Sequence, residues 1–320
     1  MTAKIIGTGS YLPDNIVSND FLSTIVDTSD EWISSRTGIK NRRISMGEGT
    51  TDMAVKASLI AVERALIKPE DIDLVLVATM SADSYLPNTA CQVQSMIGAV
   101  NAICFDINAA CAGFVFAIQT AQAYMSMDHI KHVLVIGAET VSRILDWEDR
   151  STCVLFGDGA GAVVLKKDPS GMIHTILGSD GSKGEVLTCK TRNIINPFVK
   201  EKMKDDFMKM DGQEVFKFAV KKVPDCIQEL LRETNIEVSD IKYFVLHQAN
   251  KRILESVAKR LKVDIDRFPM NLNQVGNTSA ASIPILLDEL NQQGKLNTGD
   301  KIIISGFGGG LTWGASLIEW

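Results

Sequence analysis

Cys111, His247 and Asn277 are the residues whose types and settings could carry nucleophilic chemistry. Cys111 stands in Asn108-Ala109-Ala110-Cys111-Ala112-Gly113, at the joint between a short strand, Ala102 to Asp106, and a helix, Ala112 to Ala123. That helix is apolar on every side, as a fully buried helix is. A thiol in the first turn of a helix faces the positive end of the dipole, which favours the thiolate. Ala109, Ala110, Ala112 and Gly113 leave room for a bulky group to approach the sulfur. A strand, a tight corner and a nucleophile at a helix start form the geometry of a reactive side chain on a rigid scaffold. A small buried hydrophobe gives the same local sequence, because free cysteine is among the most buried residue types. His247, in His247-Gln248-Ala249-Asn250, ends an apolar strand, where a satisfied core histidine is the other reading. Asn277, in Gly276-Asn277-Thr278-Ser279, suits a turn or helix cap with no further role.

A duplicated scaffold would bring the three together. The first half runs strand Lys4 to Tyr11, helix Thr51 to Leu66, strand Ile72 to Thr79, helix Pro87 to Gly98, the Cys111 strand and helix, and strand His132 to Gly137. A glycine run, Phe156 to Ala162, reads as a tight turn entering the strand Val163 to Leu165. A seam at Lys166 to Gly171 leads to a strand, Met172 to Gly178, and a polar excursion from Asp180 to Asp211. A helix from Gly212 to Arg232 with one apolar stripe follows. Asp240 to His247 then parallels Asp71 to Ala78, and Phe268 to Ala281 parallels the Cys111 corner. Asp300 to Gly306 parallels His132 to Gly137, and Phe307 to Ile318 parallels the Phe156 turn and its strand. Strands alternating with helices predict parallel sheet. Two such halves, 1–170 and 171–320, predict an α/β molecule with Asn277 in the corner equivalent to Cys111 and both corners, with His247, facing one cleft.

Composition narrows the class. The chain has 320 residues, 45% hydrophobic and 22% charged, an ordinary globular balance with ample core. A net charge of −6 argues against a general nucleic-acid surface. Six cysteines lie scattered with no C-x-x-C pair and no histidine cluster, which argues against a metal site. With no leader-like segment at the start, they point to a reducing cytoplasm. No apolar run approaches the ~20 residues of a membrane span. The glycine run lacks the Lys-Ser/Thr of a phosphate loop. A helix capped near Thr28-Ser29-Asp30-Glu31 sets Trp32 and Arg36 one turn apart, a pair that suits a flat anionic ligand or a plain surface cation–π contact.

Taken in order and over the full chain, Asn108 to Gly113, His247 to Asn250, Gly276-Asn277-Thr278-Ser279-Ala280-Ala281-Ser282 and Phe307-Gly308-Gly309-Gly310-Leu311-Thr312-Trp313-Gly314 resemble the β-ketoacyl-[acyl carrier protein] synthase III family. These are the condensing enzymes that initiate bacterial fatty acid synthesis. The resemblance implies a thiolase-like five-layer αβαβα fold of two pseudo-duplicated halves and a cytoplasmic homodimer that binds neither membrane nor nucleic acid. It implies no cofactor or metal, with acyl-CoA and malonyl-[acyl carrier protein] as substrates. By the same resemblance, the Cys111 thiolate takes a short acyl group from acyl-CoA. Malonyl-carrier protein then loses carbon dioxide, and its enolate attacks the acyl-Cys111 thioester to give a 3-oxoacyl-carrier protein. His247 and Asn277 would donate to the enolate oxygen, and the backbone N–H groups of Cys111 and Gly309 would hold the oxyanion at the thioester.

The resemblance extends to binding. Trp32 and Arg150 would sandwich the adenine of CoA, Thr28 and Arg36 would line its entrance, and Gly212, Phe216 and Asn250 would border the pantetheine tunnel. Lys217, Arg252, Lys259 and Arg260 would dock the acidic acyl carrier protein, a local basic face on a net-acidic chain. Leu86 stands where some members carry Phe at the end of the acyl pocket, reaching across from the dimer partner. The smaller side chain predicts room for a primer longer or more branched than acetyl.

Other readings are distinguishable. A thiolase proper would carry a second cysteine near the C-terminus, and none follows Cys226. An elongating synthase would carry a second histidine where Asn277 stands. A papain-like hydrolase shares the order Cys, His, Asn, but neither the duplication nor the Cys-Gly-Ser-Cys context. An acyltransferase of the same fold, serving an oxygen or nitrogen acceptor in secondary metabolism, has less need of both His247 and Asn277. A non-catalytic carrier-protein-binding paralogue has no need of the Cys-His-Asn set.

Overall fold

The computed structural model describes residues 3–190, 197–198 and 207–320. Part of the predicted excursion from Asp180 to Asp211 lies outside the described residues. Ala3–Tyr11 (β1) is followed by a small hairpin, Ile16–Ser18 (β2) with Asn41–Arg43 (β3), which encloses the helices Asn19–Leu22 (α1) and Asp30–Thr37 (α2). Then come Thr50–Arg64 (α3), Leu74–Ala78 (β4), Thr89–Ile97 (α4), Ile103–Ile107 (β5), Gly113–Tyr124 (α5), His132–Glu139 (β6) and Gly159–Lys167 (β7). The order in the first sheet is β1-β7-β6-β4-β5. β4 runs parallel to β5 and β6, while β7 is antiparallel to β6 and β1.

The rest of the chain repeats this plan. Ile173–Ser179 (β8) precedes a short pair, Leu187–Thr188 (β9) with Lys209–Met210 (β10). Gly212–Thr234 (α6), Ile241–Leu246 (β11), Lys251–Leu261 (α7), Leu272–Val275 (α8), Ser282–Gln292 (α9), Lys301–Gly308 (β12) and Thr312–Glu319 (β13) follow. The second sheet has the order β11-β12-β13-β8, with β11 parallel to β12 and the other neighbours antiparallel. Strand for strand, β11, β12, β13 and β8 stand as β4, β6, β7 and β1 do.

Burial makes this five layers. Every residue of β4, Leu-Val-Leu-Val-Ala, is buried, as in a strand covered on both faces. α5 and α9 lie between the sheets, where Phe114, Val115 and Ile118 meet Ile283, Leu286 and Leu287. α3 and α4 cover the outer face of the first sheet, and α6 and α7 that of the second. The order is therefore α-β-α-β-α, as expected.

The two corners that begin α5 and α9 are mirror images in detail. Ala110–Ala112 and Ser279–Ala281 are each a single 3-10 turn leading into a buried helix. Each starts on a non-glycine residue with positive φ, 46° at Ala110 and 50° at Ser279, a conformation that persists only where the surroundings enforce it. In each, an asparagine side chain ties down the turn. Asn108 Oδ1 accepts from the Ala110 N–H at 3.2 Å, and Asn277 Oδ1 from the Ser279 N–H at 2.9 Å. Each corner packs beneath a glycine of the opposite sheet. A Cβ on Gly306 would lie 2.9 Å from Ala112 Cα, and one on Gly137 would lie 3.1 Å from Ala281 Cα.

Asn277 does lie in the corner equivalent to that of Cys111, where it answers to Asn108, and Ala280 holds the position of Cys111 itself. Two other expectations are corrected. The glycine run is not a turn throughout: β7 already begins at Gly159 and pairs on both sides, and its small residues let α9 cross it closely. No described strand answers to β5 in the second sheet, where Pro269 cannot donate to a ladder.

Candidate active site

Cys111, His247 and Asn277 are 4%, 1% and 6% exposed. They meet through shared neighbours rather than through one element. β11 delivers His247 just past its end, where its N–H donates to Ser305 O on β12 at 2.8 Å. Two residues on, Phe307 sets its ring edge-on to the imidazole, with centroids 5.2 Å apart. The next residue, Gly308, abuts the nucleophile corner: a Cβ there would lie 2.9 Å from Cys111 Cβ and 3.3 Å from Sγ. Asn277 is held in a parallel bridge with Phe156, its N–H donating to Leu155 O at 2.9 Å and its C=O accepting from Gly157 N–H at 3.0 Å.

The corner 277–282 contains Asn277, bonds to His247 and packs against the turn that carries Cys111. Ser282 Oγ lies 2.7 Å from His247 Nδ1 and accepts from the Gln248 N–H at 3.4 Å. The Ser279 hydroxyl favours the charged form of the Cys111 thiol and donates to Glu139 Oε1 at 3.0 Å. Ser279, Ser282 and Glu139 were missed from the sequence. The Ser-x-x-Ser spacing directly after Asn277 is the signal that could have found two of them, since both hydroxyls fall on the turn that faces the other corner.

Electrostatics here follow burial. The helix dipole was expected to favour the Cys111 thiolate. Instead, burial pushes the thiol up to about 12, and the nearby Glu139 carboxylate adds to the rise; the Ser279 hydroxyl and the residue's own N–H oppose it. Cys111 precedes α5, in the 3-10 turn that leads into it, and the site is almost closed to water. Burial likewise pushes His247 down to about 3.

A cavity of about 990 Å³ is lined among others by Cys111, Phe156, Leu187, Met208, Gly309 and Thr312; contrary to the expectation of one shared cleft, His247 and Asn277 are not in its lining, because each is buried behind the Cys111 corner's neighbours. Its mouth is polar: Arg143 pairs with Asp83 at 2.6 Å, and both line it. Leu86 is not in that lining and is 88% exposed.

None of the expected CoA residues lines that cavity, and most of them form a chain of contacts of their own. Ser29 Oγ caps α2 by accepting from the Trp32 N–H at 3.1 Å. The guanidinium groups of both Arg36 and Arg150 stand over the Trp32 ring, at 4.7 and 5.3 Å from its centroid. Arg150 also donates to Asp27 O at 2.7 Å. Asn250 Nδ2 donates to Arg36 O at 3.0 Å while its Oδ1 caps α7 at the Arg252 N–H, 2.8 Å. Arg252 in turn stands 5.9 Å from the Phe216 ring centroid. Gly212 begins α6, and Thr28 Oγ1 is buried without a hydrogen-bond partner. Of the expected docking cations, Lys217 pairs with Glu214 and Arg260 with Asp225, each at 2.7 Å; Arg252 and Lys259 are exposed on α7. Among the described residues, no cluster of His, Cys, Asp or Glu is placed to hold a metal, and no helix is long and apolar enough to cross a membrane.

Comparison with known proteins gives the family. The family profile described as 3-oxoacyl-[acyl-carrier-protein (ACP)] synthase III matches residues 105–181, and the profile of that family's C-terminal part matches residues 231–320. The β-ketoacyl-[acyl-carrier-protein] synthase III of Clostridium acetobutylicum is 53% identical, with 100% of this chain and 99% of that one aligned. The solved 3-oxoacyl-[acyl-carrier-protein] synthase III from Aquifex aeolicus VF5 superposes with a TM-score of 0.93 at 42% identity, over 99% of this chain and 100% of the other. The priming β-ketosynthase of the R1128 polyketide biosynthetic pathway does so at 0.93 and 36%, over 99% and 96%. With that similarity running from end to end, the chain belongs to the β-ketoacyl-[acyl carrier protein] synthase III family.

Proposed function

We infer that the chain condenses an acyl-CoA primer with malonyl-[acyl carrier protein], giving 3-oxoacyl-[acyl carrier protein], CoA and carbon dioxide, and so initiates fatty acid synthesis. The observation that carries this reading is the 277–282 corner, which contains Asn277, bonds to His247 through Ser282 and packs against the turn that carries Cys111. In the first half-reaction Cys111 Sγ attacks the thioester carbon. The backbone N–H groups of Cys111 and Gly309 receive the oxyanion, and CoA leaves. In the second, loss of carbon dioxide puts negative charge on the malonyl thioester oxygen. Two neutral donors answer it. In this reading the Ser282 hydroxyl donates to His247 Nδ1, 2.7 Å away, and the ring proton sits on Nε2. Asn277 Oδ1 is committed to the Ser279 N–H, so its amide N–H groups are what it offers.

Around this centre, the Trp32–Arg150 pair holds the adenine, with Arg36 as entrance. Arg36 lies on the same ring and yields when the base enters. The partnerless Thr28 hydroxyl supports a ligand beside it. Gly212, Phe216 and Asn250 border the pantetheine path, and Lys217, Arg252, Lys259 and Arg260 receive the carrier protein. Two copies pair in the cytoplasm, and Leu86 of one closes the acyl cavity of the other; its exposure in the single chain supports this. The halves divide at 170/171, between β7 and β8. The test is to supply acetyl-, isobutyryl- and hexanoyl-CoA separately with malonyl-carrier protein and weigh the products. A 3-oxoacyl-carrier protein from at least one primer is expected; acyl transfer without a 3-oxo product would contradict the reading.

A further inference from the structure

Arg42 of β3 takes no part in the chemistry above, yet it is fully buried. Its guanidinium meets neutral oxygens. Nη1 donates to Val17 O on β2 at 3.0 Å, and Nη2 donates to Asn19 Oδ1 at 2.7 Å and to Val154 O at 2.8 Å. Nε is buried without a hydrogen-bond partner. Burial pulls the group down to about 10, so it still carries its charge at neutral pH. A buried charge answered by neutral acceptors is costly. An apolar side chain would avoid that cost but could not join three segments, as the flat fork of guanidinium N–H groups does.

One of those segments leads to the site. β3 holds segment 154–158 at both ends: Arg42 at Val154 O, and Arg43 by its C=O, which accepts from the Asp158 N–H at 2.8 Å. Between these grips the same segment holds Asn277, through Leu155 O and the Gly157 N–H. The fit is tight, since a Cβ on Gly276 would lie 3.0 Å from both Arg42 Cβ and Leu155 O. Asn277 Oδ1 is fixed to the Ser279 N–H, so a shift of this backbone carries the carboxamide along. On its other side the fork is anchored. Asn19, which receives Nη2, donates to Asp30 Oδ1 in the first turn of α2 and to Ile39 O just past its end, each at 2.8 Å. Resting on the reading of Asn277 as an enolate donor, we propose that Arg42 is a positioning residue for it. The guanidinium, braced on β2 and Asn19, holds segment 154–158 where that segment presents the Asn277 carboxamide to the malonyl thioester oxygen.

A double-mutant cycle on the full chain tests this. It is read by carbon dioxide release from labelled malonyl-carrier protein and by labelling of Cys111 with saturating acetyl-CoA. Arg42→Lys keeps the charge and the stem but cannot bond three acceptors in one fixed plane. It should slow carbon dioxide release about tenfold and leave the acylation rate within about twofold of wild type. In the Asn277→Ala background the same substitution should slow release no further, because the group it positions is gone. Release as fast as wild type, acylation slowed as much as release, or equal slowing of release in both backgrounds overturns the proposal; the last is the result of a merely structural arginine. Should Arg42→Lys fail to fold, Asn19→Ala, which leaves the guanidinium both carbonyl acceptors, goes through the same cycle and decides by the same results. Undiminished release from Asn277→Ala alone would instead overturn the reading of Asn277 as a donor.

Discussion

A developing enolate needs donors that do not change charge within the working range, and burial makes His247 such a donor. Its folded-state pKa is pushed down to about 3, below the ordinary value of 6.5. As pH falls, the unfolded chain therefore takes up this proton first. The stability tied to the neutral ring is present above about 6.5 and is lost as pH falls toward 3. Carbon dioxide release from malonyl-carrier protein should accordingly show no imidazole inflection between about pH 5.5 and about pH 8. A fall centred near the ordinary histidine value would show that the ring is charged during turnover. The proposed cysteine and histidine were legible in the sequence because each follows the end of a strand, and the asparagine because it opens the corner that repeats the first. The direction of the Cys111 shift was not, because its water is excluded by β12 of the other half. Ser279 and Ser282 left a signal only in their spacing, because serines in a small-residue turn look like helix caps wherever they occur.

At the scale of elements, β12 sets the nucleophile corner. A Cβ on Gly308 would lie 2.9 Å from Cys111 Cβ and 3.0 Å from its N. Neither corner can retreat, because each leads into a helix buried between the sheets. Gly308→Ala should destabilise the fold by about 1–3 kcal/mol and slow acylation at least about tenfold, measured by chemical denaturation and by labelling. Asn250 joins α2 to α7 by donating to Arg36 O while capping α7. Asn250→Ala should cost about 1 kcal/mol and raise KM for acetyl-CoA more than it lowers kcat. An unchanged KM would detach this contact from CoA binding. Most helices and strands were legible as apolar runs with caps, within a few residues of their ends. The strand beginning at Gly159 was not, since a glycine run signals a turn unless a crossing helix is known to need the space.

For the whole molecule, the duplication decides what meets what. Asp288 on α9 accepts from Thr8 and Ser10 of β1 and pairs with Arg64 of α3 at 2.6 Å, binding the second half's central helix to the first half. The repeated order of strands and helices made this pairing legible at low resolution. The three-residue offset that sets Ala280, not Asn277, opposite Cys111 appears only once the asparagine turns are seen. Charge acts at this scale as well. Lys259 lies exposed on α7, on a molecule of net charge −6. Lys259→Glu should raise KM for malonyl-carrier protein roughly fivefold at low salt, with the acylation rate by acetyl-CoA unmoved. A KM that stays put would place docking elsewhere. The account as a whole stands on a division of labour across the two halves, and one experiment reads both sides of it: labelled acetyl-CoA for the covalent step and carbon dioxide release from malonyl-carrier protein for the other. Cys111→Ala should take no label, His247→Ala should label normally, and both His247→Ala and Asn277→Ala should lose carbon dioxide release by about 10²- to 10³-fold. Label on a residue other than Cys111, or undiminished release in both of those variants, would contradict it.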